Sequence, residues 1–213
     1  MSAMPYPVTV SVEPLHANRN RLTTAFRLIL AIPHIILVGG VGLGFASSSR
    51  NGSTLSLGGE GGLIGAVVVF LAIVSWITIL VSGVHIVGIR QITMFYMRWR
   101  VRALAYLTLL EDQYPPFGDA SYPTAFEVVD PAGPRDRLTV ALRMILVIPH
   151  IFVLLFVMIG WWFVTVAAWF IILFTGTYPR VMYDFSTGAF KWVLRVQAYL
   201  LLLVDEYPPF SLE

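Results

Sequence analysis

From Met144 to Pro179 the chain runs for 36 residues without a charged side chain. As a single α-helix that stretch would reach roughly 54 Å, against a bilayer hydrocarbon core of about 30 Å. A run this long and apolar belongs in a membrane and is expected to turn back on itself. Gly160-Trp161-Trp162, near its middle, is the expected turn, because glycine permits a tight bend and two indoles suit the headgroup layer. The pattern predicts helices over about 138–159 and 161–178. A second uncharged run, Gly61 to Ile89, is long enough to span once, and a further span, about 22–45, starts near Leu22 and fades into Gly39 to Gly44. The fold class predicted is therefore an all-α membrane protein with four transmembrane helices. Composition agrees: 57% of residues are hydrophobic and 12% charged, where soluble domains average about 25% charged. Having no cysteine, the chain cannot build a disulfide scaffold, a thiolate metal site or a c-type haem attachment.

Basic residues orient the spans, since Lys and Arg near span ends are retained on the cytoplasmic side. Thirteen of the 14 fall in three segments: Arg19, Arg21 and Arg27; then Arg90 through Arg143; then Arg180, Lys191 and Arg195. Arg50 alone lies in a loop on the opposite side. Both termini are expected in the cytoplasm, with the spans in the cytoplasmic (inner) membrane. The opening residues lack a basic region followed by an apolar one, so no cleavable signal peptide is expected.

The sequence also repeats itself. At an offset of 116, Tyr6–Ile35 matches Tyr122–Ile151 with 15 identities in 30 positions. At an offset of 93, Trp76–Phe117 matches Trp169–Phe210 with 16 identities in 42. The change of offset places a Gly- and Ser-rich insertion around residues 40–62, an expected extracytoplasmic loop present in the first copy only. The copies divide the chain at 1–118 and 119–213. With an even number of spans each, they form two hairpins of the same orientation, related by a pseudo-twofold axis along the membrane normal. Each begins with an alternating segment, Tyr6–Val12 or Tyr122–Val128, read as a short β-strand, and the two strands are expected to meet. Each ends in a helix, about 94–112 and 187–205, with basic and tyrosine residues four apart: Arg98, Arg102, Tyr106 and Lys191, Arg195, Tyr199. Such a polar stripe predicts an amphipathic helix lying in the cytoplasmic interface, its cations on anionic lipid headgroups. Tyr-Pro-Pro-Phe, at Tyr114–Phe117 and Tyr207–Phe210, stops each helix by removing a donor and disfavouring helical geometry before it.

The pair of motifs, Ile-Pro-His near the start of the first helix of each copy and the closing Tyr-Pro-Pro-Phe, resembles an uncharacterised family of bacterial membrane proteins classified only as a domain of unknown function. The resemblance takes in two tandem copies from Tyr6 to Leu212 and implies a helical membrane fold. It implies no activity and no catalytic residue.

His34 and His150 are the sharpest chemical features, each directly after a proline and seven residues beyond Arg27 or Arg143. Ionisable groups inside a span are costly and mark either function or satisfied packing. Three readings stay open for the candidate intramembrane site His34, His150, Arg27 and Arg143. The imidazoles could bond across helices near a proline kink, line a proton or substrate pathway between the copies, or ligate haem b or a transition metal. No cofactor is expected in the first two. Arg27 and Arg143 read as snorkelling side chains, as lipid-headgroup ligands, or as partners of Asp112 and Asp205. Trp76 and Trp169 read as helix-packing residues, and His85 and His16 as an interface and a solvated histidine. Asn51-Gly52-Ser53 fits a glycosylation sequon weakly.

No phosphate-binding loop, zinc-protease motif or nucleophile elbow occurs, and no carboxylate falls inside a predicted span. A net charge of +2 gives no support for nucleic-acid binding. The expectation is a non-enzymatic accessory or scaffolding subunit of a membrane assembly, or a homo-oligomer. Its partners would be anionic lipid, other membrane subunits or further copies of itself. A channel or transporter passing His34 and His150, and a haem or metal redox protein, are the alternatives.

Overall fold

Asn20 and Asp136, 116 residues apart, start the two copies in the same way. Each side chain accepts from the backbone N–H groups two and three residues on, Leu22 and Thr23 in one case, Leu138 and Thr139 in the other. That is the N-cap interaction short polar side chains provide. In the computed structural model, which describes residues 6–41, 62–118, 120–130, 133 and 135–213, these caps open α1 (Arg21–Val38) and α4 (Arg137–Leu146). The other elements are β1 (Val8–Ser11), α2 (Gly62–Ser82), α3 (Val87–Leu107), β2 (Ala125–Val128), α5 (Ile148–Thr175) and α6 (Arg180–Leu200). The expected Gly- and Ser-rich loop with Arg50 and Asn51–Ser53, and the end of the first span beyond residue 41, lie outside the described residues.

Proline acts differently in the two copies. Pro33 lies inside α1, which continues past it, whereas the second copy breaks at Val147 and restarts with Pro149 in the first turn of α5. A proline there costs little, because its missing N–H is one of those a helix start leaves unpaired. The turn expected at Gly160 is corrected: α5 is one helix of 28 residues that passes through it. Glycine inside a helix costs only about 1 kcal/mol, which packing overrides. Trp161 is buried against Phe190 of α6, with ring centroids 6.4 Å apart, rather than placed in a headgroup layer. The separate helices 138–159 and 161–178 are thus replaced by a break thirteen residues earlier.

Three helices, α1, α2 and α5, are long and apolar enough to cross a membrane. Only 28%, 28% and 17% of their apolar windows are buried, so among the described residues most of these apolar side chains stay at the surface. The core belongs instead to α3 and α6. Of their 21 residues each, 12 and 13 are buried, and the main hydrophobic cluster draws on both, with α1, α5 and the strands around them. The exposed polar stripes expected of the helices at 94–112 and 187–205 are replaced by helices that start about seven residues earlier and sit centrally.

The strands pair antiparallel, with Val8 opposite Val128, Val10 opposite Phe126 and Ser11 opposite Ala125. Val10 and Phe126 are counterparts at the 116-residue offset, so each copy meets its own equivalent in this ribbon. Both face inward and are buried.

Candidate functional site

Both central helices end on a leucine in a conformation glycine normally takes. Leu109 has φ 67° and Leu202 has φ 63°. Around each, the chain forms a Schellman ending: Leu110 N–H donates to the Ala105 carbonyl and Leu109 N–H to Tyr106, and Leu203 and Leu202 donate likewise to Ala198 and Tyr199. A leucine there costs roughly 1–2 kcal/mol of backbone energy. Both leucine side chains are buried, which offsets that cost.

The helix ends carry partial negative charge and unpaired carbonyls, and arginines in and just before α1 and α4 collect on them. Arg27 Nη1 donates to the carbonyls of Tyr106 (2.7 Å) and Glu111 (2.8 Å), and Nη2 to Asp112 Oδ1 at 2.6 Å. Its guanidinium also lies 4.6 Å from the Tyr106 ring centroid. Arg19 donates to the carbonyls of Leu109 and Leu110 and pairs with the same Asp112 oxygen at 3.0 Å. The second copy repeats the clamp. Arg143 bonds the carbonyls of Tyr199 and Val204 and Asp205 Oδ1 (3.1 Å), and lies 4.3 Å from the Tyr199 ring. Arg135 bonds the Leu202 carbonyl and pairs with Asp205 at 3.1 Å. Of the three readings of Arg27 and Arg143, pairing with Asp112 and Asp205 is the one these contacts match.

Seven residues beyond each clamp arginine, the imidazole is enclosed by aromatic rings of its own copy. Trp99 Nε1 donates to His34 Nδ1 at 3.0 Å, and His34 stacks on Phe117 with centroids 4.5 Å apart and touches Tyr114 edge-on. Trp192 Nε1 donates to His150 Nδ1 at 3.2 Å, and His150 stacks on Phe210 at 3.9 Å beside Tyr207. Indole nitrogen only donates, so Nδ1 is an acceptor in both and the neutral ring carries its proton on Nε2. Tyr-Pro-Pro-Phe thus does more than stop a helix: it folds back and closes the cage. The two histidines share no ring partner, and Nδ1, one of two possible ligating atoms, is already occupied in each. Among the described residues no group of three or more His, Asp or Glu could hold a metal ion.

Between the copies the contacts run reciprocally. Trp76 Nε1 donates to the Val140 carbonyl at 2.9 Å, and Trp169 Nε1 to the Thr24 carbonyl at 2.8 Å. Arg135 N–H donates to the Gly83 carbonyl and Arg19 N–H to that of Gly176. Gly83 and Gly176 take positive φ, 74° and 71°, and a Cβ on either would crowd the guanidinium of Arg137 or Arg21.

The family model for a domain of unknown function, DUF4389, matches the chain twice, over residues 61–118 and 137–211. The chain belongs to the DUF4389 family. The two segments cover more than half of it, and each ends by taking in one Tyr-Pro-Pro-Phe. The first DUF4389 segment holds α2 and α3 and the second α4 to α6, so His150 and its whole cage fall within a match, while His34 lies before one. No curated protein and no solved structure matches the chain.

The remaining residues singled out by the sequence are scattered over the DUF4389 pair. Arg102 is buried, with Nη1 on the Gly118 carbonyl at 2.9 Å, and Arg195 donates to the Glu213 carbonyl. Arg98 and Lys191 are half-buried. His85 bonds the Ile86 carbonyl beyond the end of α2, and His16 packs edge-on against Tyr183. Two important residues escaped the sequence reading. Arg100 is fully buried, bonding Gln197 Oε1 at 3.2 Å and the carbonyls of Val38 and Gly40, so it ties α3 to α6 and to the end of α1. Glu111, where the second copy has Val204, is buried and accepts from Thr124 Oγ1 at 3.1 Å. Burial raises its carboxyl pKa to about 7. The absence of any counterpart in the other copy was the one signal at position 111.

Proposed function

We propose that this DUF4389 protein is a non-enzymatic integral membrane protein, embedded through α1, α2 and α5, that serves as an assembly subunit for other membrane proteins or for further copies of itself. The observation that carries the reading is the division of labour between polar and apolar groups. The arginines and histidines set within apolar helices are engaged in clamps and cages inside each copy, while the three long helices leave most of their apolar surface outward. Surface of that kind meets lipid or another apolar helix. The basic side chains lie at the α1 and α4 starts and along α3 and α6, which supports placing Arg98 and Lys191 near anionic headgroups.

A photo-reactive amino acid placed in intact cells at Phe156, 60% exposed on α5, tests this. The expected result is a discrete protein adduct of constant size. Crosslinks to lipid alone, there and at Phe70 of α2, would overturn the proposal.

A further inference from the structure

Glu111 and Thr124 join the end of α3 to the strand ribbon. Thr124, the residue before β2, donates its hydroxyl to Glu111 Oε1 at 3.1 Å, and both side chains are buried. At the two offsets of the repeat their counterparts are Val204 and Val8, also buried and both part of the main hydrophobic cluster. The place taken by two valines in one half of the pseudo-symmetric pair thus holds a carboxyl and a hydroxyl in the other. We propose that Glu111 and Thr124 form a proton-operated latch: protonated Glu111 holds residues 122–128 against the end of α3, and loss of the proton releases them.

The surroundings suit a carboxylic acid and not a carboxylate. The titratable groups around Glu111 are Arg19 and Glu13 from the stretch between β1 and α1, Asp112 beside it, Tyr122 ahead of β2, and Tyr183 of α6. Arg19 is the one cation among them, and its terminal nitrogens are engaged, Nη1 by the carbonyls of Leu15 and Leu110, Nη2 by that of Leu109 and by Asp112. Arg27 is likewise taken up by the backbone carbonyls of Tyr106 and Glu111 and by Asp112. Thr124 supplies a single neutral donor.

Ionisation therefore sets a second negative charge beside Asp112 and near Glu13 with no cation free to meet it. A buried charge in that position either keeps its proton or brings in water. Thr124 and the strand that follows it cover the carboxyl, so water arrives when that segment lifts. Burial raises the Glu111 pKa to about 7, which puts the release close to neutral pH. Val204 has no proton to lose, so the second helix end stays closed over the same range. The latch does not rest on the assembly role.

Hydrogen exchange read by mass spectrometry on the whole protein in detergent tests it, with wild type and Glu111→Gln compared at each pH so that the intrinsic pH dependence of exchange cancels. Between pH 5.5 and 8, amides of residues 122–128 are expected to lose protection relative to Glu111→Gln on the order of tenfold, while α6 stays the better protected element. The double variant Glu111→Val with Thr124→Val, which copies the valine pair of the other half, is expected to show no such loss and serves where Glu111→Gln does not fold. A ratio of wild type to variant that is constant with pH would overturn the proposal. So would residues 122–128 that exchange only together with α6 at every pH, because the release would then be unfolding of the whole chain.

Discussion

Trp169 donates its indole N–H to the backbone carbonyl of Thr24, 2.8 Å away, and so joins the last third of α5 to the first turn of α1 across the boundary between copies. Trp76 makes the mirror contact to Val140. Because each copy lends its tryptophan to the other, the copies are interlocked, and neither completes its own packing. Replacing Trp169 or Trp76 by Phe keeps most of the ring and removes one hydrogen bond, so each should lower stability by about 1 kcal/mol. The sites share no partner, so the double variant should lose close to the sum. Thermal unfolding in detergent reads this, and a double variant no less stable than either single one would show that the bonds are idle.

Asp112 and Asp205 each form ion pairs with two arginines. Asp112→Ala would leave Arg19 and Arg27 buried without a counter-charge, a loss of about 3–5 kcal/mol by analogy with other broken buried pairs. The same holds for Asp205→Ala with Arg135 and Arg143. The yield of monodisperse protein should collapse in both, with Asp112→Asn partly preserved because the amide oxygen still accepts from Arg27. Wild-type yield for Asp112→Ala would contradict the clamp.

His34→Ala and His150→Ala each orphan an indole N–H and remove a ring stacked on phenylalanine, with an expected loss of about 2–4 kcal/mol. Since the two cages share no residue, each substitution should act alone. Ion flux through reconstituted vesicles that disappears in His34→Ala, with folding retained, would be evidence for a pathway instead.

Glu111 gives the first copy a pH dependence that Val204 denies the second. Its folded pKa, about 7, stands above its ordinary value of 4.5 because burial disfavours the carboxylate. A carboxyl raised in the folded state is protonated there first. Its contribution to stability is therefore full below about pH 4.5 and is lost as pH climbs towards 7. The change should amount to about 1–3 kcal/mol, and Glu111→Gln should flatten it. Melting temperature followed between pH 5 and 8 in both proteins tests the sign. A wild type that grows more stable over that interval, relative to Glu111→Gln, would contradict the assignment.

Much of this was legible in the sequence because it is local or repeated. The strands at Val8 and Ala125 follow from short-range pattern, and the recurrence of Arg27 with Asp112 and Arg143 with Asp205 marked pairs that do meet. What sequence could not give was contact between distant segments. Arg98, Arg102 and Tyr106 form a stripe suggesting an interfacial helix, yet Arg100, off that stripe, is the residue that reaches Gln197 and the end of α1. Carbonyls at a helix end carry no side-chain signature, so their capture by Arg19 and Arg135 is invisible in one dimension. Gly160 misled for a related reason: glycine permits a turn without requiring one, and the packing of Trp161 on α6 favoured a straight helix.

The proposed assembly role requires the outward apolar faces to bind other membrane proteins or further copies. The most direct measurement is native mass spectrometry of the particle released from its own membranes by mild detergent. A reproducible assembly heavier than a single chain is expected, and a single chain recovered alone, over a range of detergents that keep other complexes intact, would contradict the assembly role.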